Sequence, residues 1–200
     1  LATIVSSTDA EELRSHLPAS PALLTSAPGT PLKAIVPVRE RKLYFSERPQ
    51  SPTNPKSPTV FFLTVDGKTP AAFDPISPNP DIVVRQGDVE DWIIENRSQE
   101  LHDFHIHQSH FQLLEWNGVP VDEPYLRDTI NVAYWDGHSS VYPSVKLRMD
   151  FRDPSIVGTF PFHCHLLEHS DGGMMGIVRV EPREASVQGH GKPTAIPPSQ

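Results

Sequence analysis

The stretch from residue 163 to residue 175 concentrates side chains that can bind a metal ion. It reads His-Cys-His-Leu-Leu-Glu-His-Ser-Asp-Gly-Gly-Met-Met and holds the only cysteine of the protein. Imidazole, thiolate and thioether together suit copper, and a trigonal site of two histidines and one cysteine with a weak axial methionine is typical of a blue electron-transfer copper. The stretch therefore predicts copper chemistry and raises the question of which other histidine takes part.

A second histidine-rich stretch, residues 101–111, lies earlier in the chain and reads Leu-His-Asp-Phe-His-Ile-His-Gln-Ser-His-Phe. Two short clusters within these stretches hold six of the ten histidines: His102, His105, His107, His163, His165 and His169. Ordinary packing does not explain this concentration. A structural zinc site is the weaker interpretation, because such sites favour two or more cysteines.

Strand geometry divides these residues into two sets. Side chains alternate across a sheet, so His163 and His165 project to one face while Cys164 projects to the other. By the same rule His105 and His107 share a face, and His102 points the other way if its segment stays extended. The first set is His102, Cys164, His169 and Met174, and the second is His105, His107, His163 and His165.

The two sets predict different chemistry. The first matches a mononuclear blue copper, and the spacing from Cys164 favours Met174 over Met175 as the axial group. The second has no soft ligand and could hold more than one copper with positions open for oxygen, but four imidazoles are too few for a cluster. Further ligands would have to come from another domain. Cys164 would conduct electrons, since it binds one site and is bonded through the backbone to ligands of the other.

The elements that must position these residues are short strands. Strand-like segments with turn signals between them are predicted at 33–38, 42–46, 60–65, 82–85, 92–96, 104–116, 129–132, 141–151, 158–163 and 176–180. Residues 145–151 alternate apolar and charged side chains, which is the period of a strand with one buried face. Many short strands without a convincing amphipathic helix indicate an antiparallel sandwich or barrel.

Composition sets the outer limits. The 200 residues include 22 prolines, about twice the average share, so part of the chain is expected to be linker or tail. The formal charge of −8, without a basic run, argues against nucleic acid as a partner. No apolar run approaches the ~20 residues of a membrane span. Because the chain starts without methionine or a signal-peptide pattern, we expect it to be a mature or cleaved piece of something longer.

The pairing of His-x-x-His-x-His with His-Cys-His-x-x-x-His-x-x-x-x-Met resembles the copper motifs of the multicopper oxidases, the family of laccases, ascorbate oxidase and bacterial cuprous oxidases. The resemblance extends over residues 60–180. It implies an all-β, Greek-key cupredoxin sandwich at 33–182, similar to the C-terminal domain of such an enzyme. Residues 1–16 would close a preceding middle domain, 17–32 would form a Pro/Ser-rich linker, and 183–200 would be a tail.

The resemblance also implies a role for each candidate ligand. The type 1 copper would be bound by His102, Cys164, His169 and Met174, the type 2 copper by His105, and the type 3 pair by His107, His163 and His165. In the family, four more histidines come from an N-terminal domain as two His-x-His pairs, and this chain has none to spare. A complete enzyme would contain four coppers, with the N-terminal portion of the same oxidase, as a separate fragment or as missing residues, for a partner.

The function implied is one-electron oxidation of a phenolic, aromatic amine or metal-ion substrate, coupled to four-electron reduction of dioxygen to water. His102 or His169 would be the exposed edge where electrons enter, and Cys164 the relay. A periplasmic or secreted location is expected. The alternative is an electron-transfer cupredoxin or a copper-nitrite-reductase-like protein with a type 1 site only, although neither has a use for histidine on each side of the cysteine.

Two positions depart from the family pattern. Asp103 stands where proline commonly follows the first histidine, so we expect a less rigid backbone there. Ser170 stands where several bacterial members carry an acidic residue that is thought to pass protons to the cluster. Glu168 or Asp171 is the candidate for that proton relay in this chain.

Overall fold

A computed structural model describes residues 31–76 and 79–183 of the chain. The strands are β1 (Arg39–Ser51), β2 (Asn54–Val65), β3 (Ile82–Arg85), β4 (Val89–Asn96), β5 (His102–Ile106), β6 (Phe111–Trp116), β7 (Val119–Pro120), β8 (Thr129–Val132), β9 (Ser144–Asp150), β10 (Gly158–Cys164) and β11 (Met175–Glu181). One α-helix, α1 (Leu167–Asp171), and two 3-10 turns, Leu32–Ala34 and Pro154–Ile156, complete the described elements. The predicted closing segment 1–16, most of the linker 17–32 and nearly all of the tail 183–200 lie outside the described residues.

The strands form two sheets, which confirms the predicted all-β sandwich. One sheet has the order β2-β1-β4-β9-β6-β7 and the other the order β3-β11-β10-β5-β8. Most pairings are antiparallel, but β1 with β4 and β3 with β11 are parallel. The core between the sheets is aromatic at its centre, where the fully buried Trp92 of β4 lies 5.9 Å from the ring of Phe162 and 6.3 Å from that of Phe104.

The pairing of β5 with β10 brings the two histidine-rich stretches side by side. In this antiparallel register His163 lies opposite His105, and Cys164 lies opposite Phe104. Burial alternates along β5, so that His102 is fully buried whereas His105 is only partly buried. The register therefore sets one face of the strand pair towards the core and the other towards the surface, as strand alternation requires.

Two predicted strands are wrong. The segment 33–38 begins instead as the 3-10 turn Leu32–Ala34 and continues to β1 as irregular chain, in which Val36 is 85% exposed. The segment 104–116 is divided into β5 and β6, with a turn between them in which Gln108 takes a φ of 60°. Both segments are apolar enough to suggest strands, but neither keeps a partner strand along its whole length.

Arg148 of β9 is buried, although the alternation of charged and apolar residues predicts it at the surface. Its guanidinium group donates to both carboxylate oxygens of Asp91, at 2.8 and 3.0 Å. It also donates to the backbone carbonyls of Lys33 and Ile35, at 2.8 and 2.9 Å. The Arg148 side chain thus holds the irregular segment before β1 against the six-stranded sheet.

Among the described residues, no helix has the length and apolar character that a membrane span requires.

Candidate metal centre

Three potential ligand side chains meet inside the sandwich, and we call them the cysteine site: His102, Cys164 and His169. The Cys164 Sγ lies 3.7 Å from the Nδ1 of His102 and 3.6 Å from the Nδ1 of His169, and the two nitrogens are 2.9 Å apart. His102 and Cys164 have no exposed surface, and His169 is 7% exposed. The three donor atoms therefore form a closed triangle shielded from water.

Secondary structure fixes each corner of this triangle. His102 begins β5 and Cys164 ends β10, while His169 lies in the single turn of α1 that follows. The chain then reverses at Gly173, whose φ of 108° suits glycine, and Met174 returns alongside the cysteine. There the backbone carbonyl of Met174 accepts a hydrogen bond of 3.0 Å from the Cys164 N–H.

A hydrogen-bonded relay orients the His102 ring. The Ser98 hydroxyl donates to the Asn96 Oδ1 at 2.8 Å, so it is free to accept from the His102 Nε2, 2.6 Å away. The proton then lies on Nε2 and the lone pair on Nδ1, which faces the cysteine sulfur. Phe45 stacks on the same ring at a centroid distance of 4.9 Å. The fold therefore favours the His102 tautomer whose Nδ1 is able to bind a metal.

The His169 ring is held in a similar way, but it has access to the surface. Phe61 stacks on it at a centroid distance of 4.4 Å. Its outer Nε2 lies 3.2 Å from a carboxylate oxygen of Glu100, whose side chain is 55% exposed. The Nδ1 faces inward and the Nε2 faces an acidic, solvated position, so His169 connects the buried triangle with the exterior.

Burial shapes the protonation of the cysteine site. It lowers the pKa of His102 to about 3, with the neighbouring His169 adding to the shift. It raises the pKa of the Cys164 thiol, against which backbone N–H groups act in the opposite direction. The metal-free site therefore holds a neutral imidazole and a protonated thiol at neutral pH. A soft cation that displaces the thiol proton would pair with the thiolate that forms, so that no unpaired charge is left buried.

The other face of the same strands carries the histidine cluster, which consists of His105, His107, His163 and His165. Ring centroids are 5.0 Å apart for His105 and His107, 5.2 Å for His105 and His163, 5.2 Å for His105 and His165, and 5.9 Å for His163 and His165. Burial is the main reason that the pKa values of His105, His107 and His163 are lowered. These three imidazoles therefore favour the neutral form near the surface.

Backbone carbonyls determine which nitrogens of the cluster face outward. The His105 Nδ1 donates to the Asp128 carbonyl at 2.9 Å, and the His163 Nδ1 donates to the Cys164 carbonyl at 2.8 Å. Their Nε2 atoms are left with lone pairs, and the Nε2 of His163 lies 3.1 Å from that of His107. His107 and His165 are exposed. In the described part of the chain the cluster therefore presents imidazole nitrogens towards an open face.

Both sets fit copper by their donor chemistry. Imidazole nitrogen and thiolate sulfur bind metals at ~2.0 and ~2.3 Å, a reach that the cysteine triangle matches. Met174 is fully buried, whereas Met175 lines a surface hollow together with Phe73 and Ile177, so Met174 is the methionine on the core side. The histidine cluster has the borderline nitrogen donors that also suit copper.

The candidates for proton relay, Glu168 and Asp171, lie on the exposed surface of α1. Other residues that contact the site were not indicated by the sequence. Ser98 and Glu100, which contact the two histidines of the cysteine site, carried no motif signal. Asp103 stood out only as a replacement for proline, yet its backbone N–H donates to the Cys164 sulfur at 3.4 Å.

Comparisons with known proteins agree in direction. A sequence profile described as multicopper oxidase matches residues 52–184. The multicopper oxidase mco of Staphylococcus aureus is 32% identical over 122 residues, which cover 59% of this chain and 24% of that protein. The laccase of Bacillus stratosphericus is 27% identical over 115 residues, or 51% and 21% of the two chains. This chain therefore spans about a quarter of the length of the curated relatives it matches.

Solved structures give the same picture. A multicopper oxidase from Campylobacter jejuni, described as a metallo-oxidase, superposes with a TM-score of 0.56 at 29% identity, over 74% of this chain and 31% of that one. The multicopper oxidase McoA of the hyperthermophile Aquifex aeolicus superposes with a TM-score of 0.53 at 26% identity, over 72% and 29%. In each case the likeness covers about a third of the larger protein.

Proposed function

Because this chain belongs to the multicopper oxidase family, we propose that it is the C-terminal part of an oxidase that couples one-electron oxidation of a substrate to four-electron reduction of dioxygen to water. The observation that carries the proposal is the division of the tripeptide 163–165 between two ligand sets. The Cys164 sulfur lies within 3.7 Å of two buried imidazoles, while the flanking His163 and His165 rings lie 5.2 Å from that of His105 on the opposite face.

The proposed ligand roles follow this division. The cysteine site, together with Met174, would hold the type 1 copper. His105 would hold the type 2 copper, and His107, His163 and His165 would supply ligands to the type 3 pair. Copper bound there would supply one-electron redox chemistry at the first site and dioxygen reduction at the second. The buried thiol, the lowered pKa of His102 and the proximity of the two sets support this assignment.

The chain's own residues supply a route between the sets. His102 is sealed inside and hydrogen-bonded to Ser98, whereas His169 reaches the exterior beside Glu100, so we assign the electron-accepting edge to His169. Cys164 is bonded through the backbone to His163. The Cys164 carbonyl also accepts a hydrogen bond from the His163 Nδ1 at 2.8 Å, so that a covalent and a hydrogen-bonded path join the two residues.

The proposal includes a partner and a substrate. The open face of the histidine cluster would be completed by histidines of the N-terminal portion of the same oxidase. The reducing substrate would be a phenol, an aromatic amine or a metal ion, and the Glu100 carboxylate favours one with a positive charge. Glu168 or Asp171 would relay protons, and the location would be periplasmic or secreted. A protein that only transfers electrons would need the cysteine site alone. The presence of the histidine cluster therefore argues against that function.

Copper loading of the purified chain tests the first half of the proposal. We expect an intense blue absorption band from one copper, and its loss in Cys164→Ser because the thiolate is its source. His110→Ala changes an exposed histidine outside both sets and should keep the band. A copper-loaded chain without a blue band would contradict the assignment of the cysteine site.

Reassembly with the N-terminal portion of the same oxidase tests the second half. The complete protein should gain a near-ultraviolet shoulder from a coupled copper pair and should consume dioxygen. The double variant His163→Ala, His165→Ala should lose both properties while keeping the blue band, since Cys164 is unchanged. A complete protein with the blue band alone would favour electron transfer over oxidase activity.

A further inference from the structure

The backbone of Asp103 touches both sides of the metal centre. Its N–H donates to the Cys164 sulfur, with a nitrogen-to-sulfur distance of 3.4 Å. Its carbonyl accepts from the His165 N–H at 2.9 Å. These two contacts bind residue 103 to the cysteine of the buried site and to the backbone of a neighbouring cluster histidine. The position is therefore fixed relative to the sulfur by the fold and not by its own side chain.

The surroundings make this hydrogen bond effective. Cys164, Phe104 and Met174 have no exposed surface, so water does not compete for the sulfur. In such low-dielectric surroundings a hydrogen bond acts more strongly than in water. An N–H that points at a metal-bound thiolate withdraws electron density from the sulfur. This weakens the donation that stabilises the oxidised metal more than it weakens binding of the reduced metal.

We propose that Asp103 is a positioning residue that raises the reduction potential of copper held by Cys164, through its backbone N–H. The inference rests on the proposed function, since it requires copper at the cysteine site. It concerns the driving force for oxidising a substrate, because a higher potential makes the site a stronger one-electron oxidant.

The side chain of Asp103 acts in the opposite sense. Its carboxylate is partly buried and lies opposite Asn131 of β8, whose amide group is its hydrogen-bond partner. A negative charge near the sulfur stabilises the oxidised metal and lowers the potential. The two contributions of residue 103 are separable, since alanine removes only the carboxylate while proline removes the carboxylate and the N–H.

The decisive comparison is therefore Asp103→Pro against Asp103→Ala in the copper-loaded chain. Reductive titration of the blue band against a mediator gives each potential. We expect the equilibrium constant for reduction to be about tenfold lower in the proline variant, or about 59 mV for a one-electron couple. The reduction potential of Asp103→Ala should be equal to or higher than that of the unchanged protein. Equal potentials in the two variants would overturn the proposal, while absence of the blue band from the unchanged protein and Asp103→Ala would overturn the proposed function as well.

A second measurement needs no proline and covers the case in which Asp103→Pro does not fold. In the reduced, diamagnetic protein the amide proton of residue 103 can be followed by NMR. It should move downfield on loading with monovalent copper, because the thiol becomes a metal-bound thiolate and a better acceptor. The backbone amide proton of Asn131, which lies opposite residue 103 in β8, serves as the internal reference. A shift at residue 103 no larger than that of the reference would refute the hydrogen bond.

Discussion

The relay that orients His102 can be broken by a single substitution, Ser98→Ala. The change removes a hydroxyl that accepts from the His102 Nε2 and donates to the Asn96 Oδ1, at 2.6 and 2.8 Å. Both partners are fully buried. An unsatisfied buried polar group costs about 1–3 kcal/mol, but the Asn96 Oδ1 also accepts from the Ser98 N–H at 2.9 Å. The cost therefore comes mainly from the His102 Nε2, which is left without a hydrogen-bond partner. We expect a loss of about 2 kcal/mol in the free energy of unfolding.

Two assays follow from this estimate. The melting temperature of the metal-free protein should fall by about 4–8 °C for a loss of that size. Copper affinity, measured by competition with a chelator, should fall about 10- to 100-fold because the ring no longer keeps its lone pair on the inward nitrogen. Ser140→Ala, at an exposed serine before β9, is the matched control and should change neither quantity. Copper affinity of Ser98→Ala within twofold of the unchanged protein would refute the reasoning.

Two further predictions concern buried charge. Arg148→Met should destabilise the protein by about 3 kcal/mol because Asp91 stays buried with only the more distant Lys146, 3.8 Å away, as a cationic neighbour. Adding Asp91→Leu should recover much of the loss. Urea unfolding measures both, with Arg179→Met, on the exposed Arg179–Glu181 pair of β11, as the control expected to cost about 1 kcal/mol or less. The metal-free protein should also lose stability as the pH falls from 6.5 towards 3, because His102 takes up a proton in the unfolded chain but not in the folded one. The slope from this residue is about 1.4 kcal/mol per pH unit, and an equal slope in His102→Gln would contradict its origin.

The division of the candidate metal ligands was predictable because it depends on backbone geometry alone. Residues that alternate along a strand must face opposite sides, whatever the rest of the chain does. The spacing of His163, Cys164 and His165 therefore predicted that the cysteine side chain faces the opposite side of the strand from the two histidines. The structure brings that side chain together with His102 and His169. The helical turn that carries His169 was not predicted, since five residues are too few to show a helical period.

The turn between β5 and β6 was missed for a different reason. Residues 107–110 read His-Gln-Ser-His, in which Ser109 is the one residue of a type common in turns and acts more weakly there than asparagine or aspartate. The conformation is imposed by distant partners: the Ser109 hydroxyl donates to the Asp150 carbonyl at 3.0 Å, and the Asp150 N–H donates to His110 at 3.2 Å. On the other side of Gln108, the His107 N–H donates to the Pro161 carbonyl at 3.1 Å, so tertiary contacts flank the residue that takes the positive φ.

The contacts around the metal centre were beyond sequence reasoning, because they join residues whose types are unremarkable. A serine after β4 or an aspartate in β5 has many possible neighbours, and only the register of β5 with β10 decides which one it meets. That register gives Asp103 contact with Cys164 through its N–H and with His165 through its carbonyl. A shift of the strand at residue 103 would therefore move a ligand of the buried site and the backbone of the histidine cluster together. The two sites are coupled mechanically as well as through the bonds of the tripeptide, and substitutions at residue 103 should be judged by their effect on both.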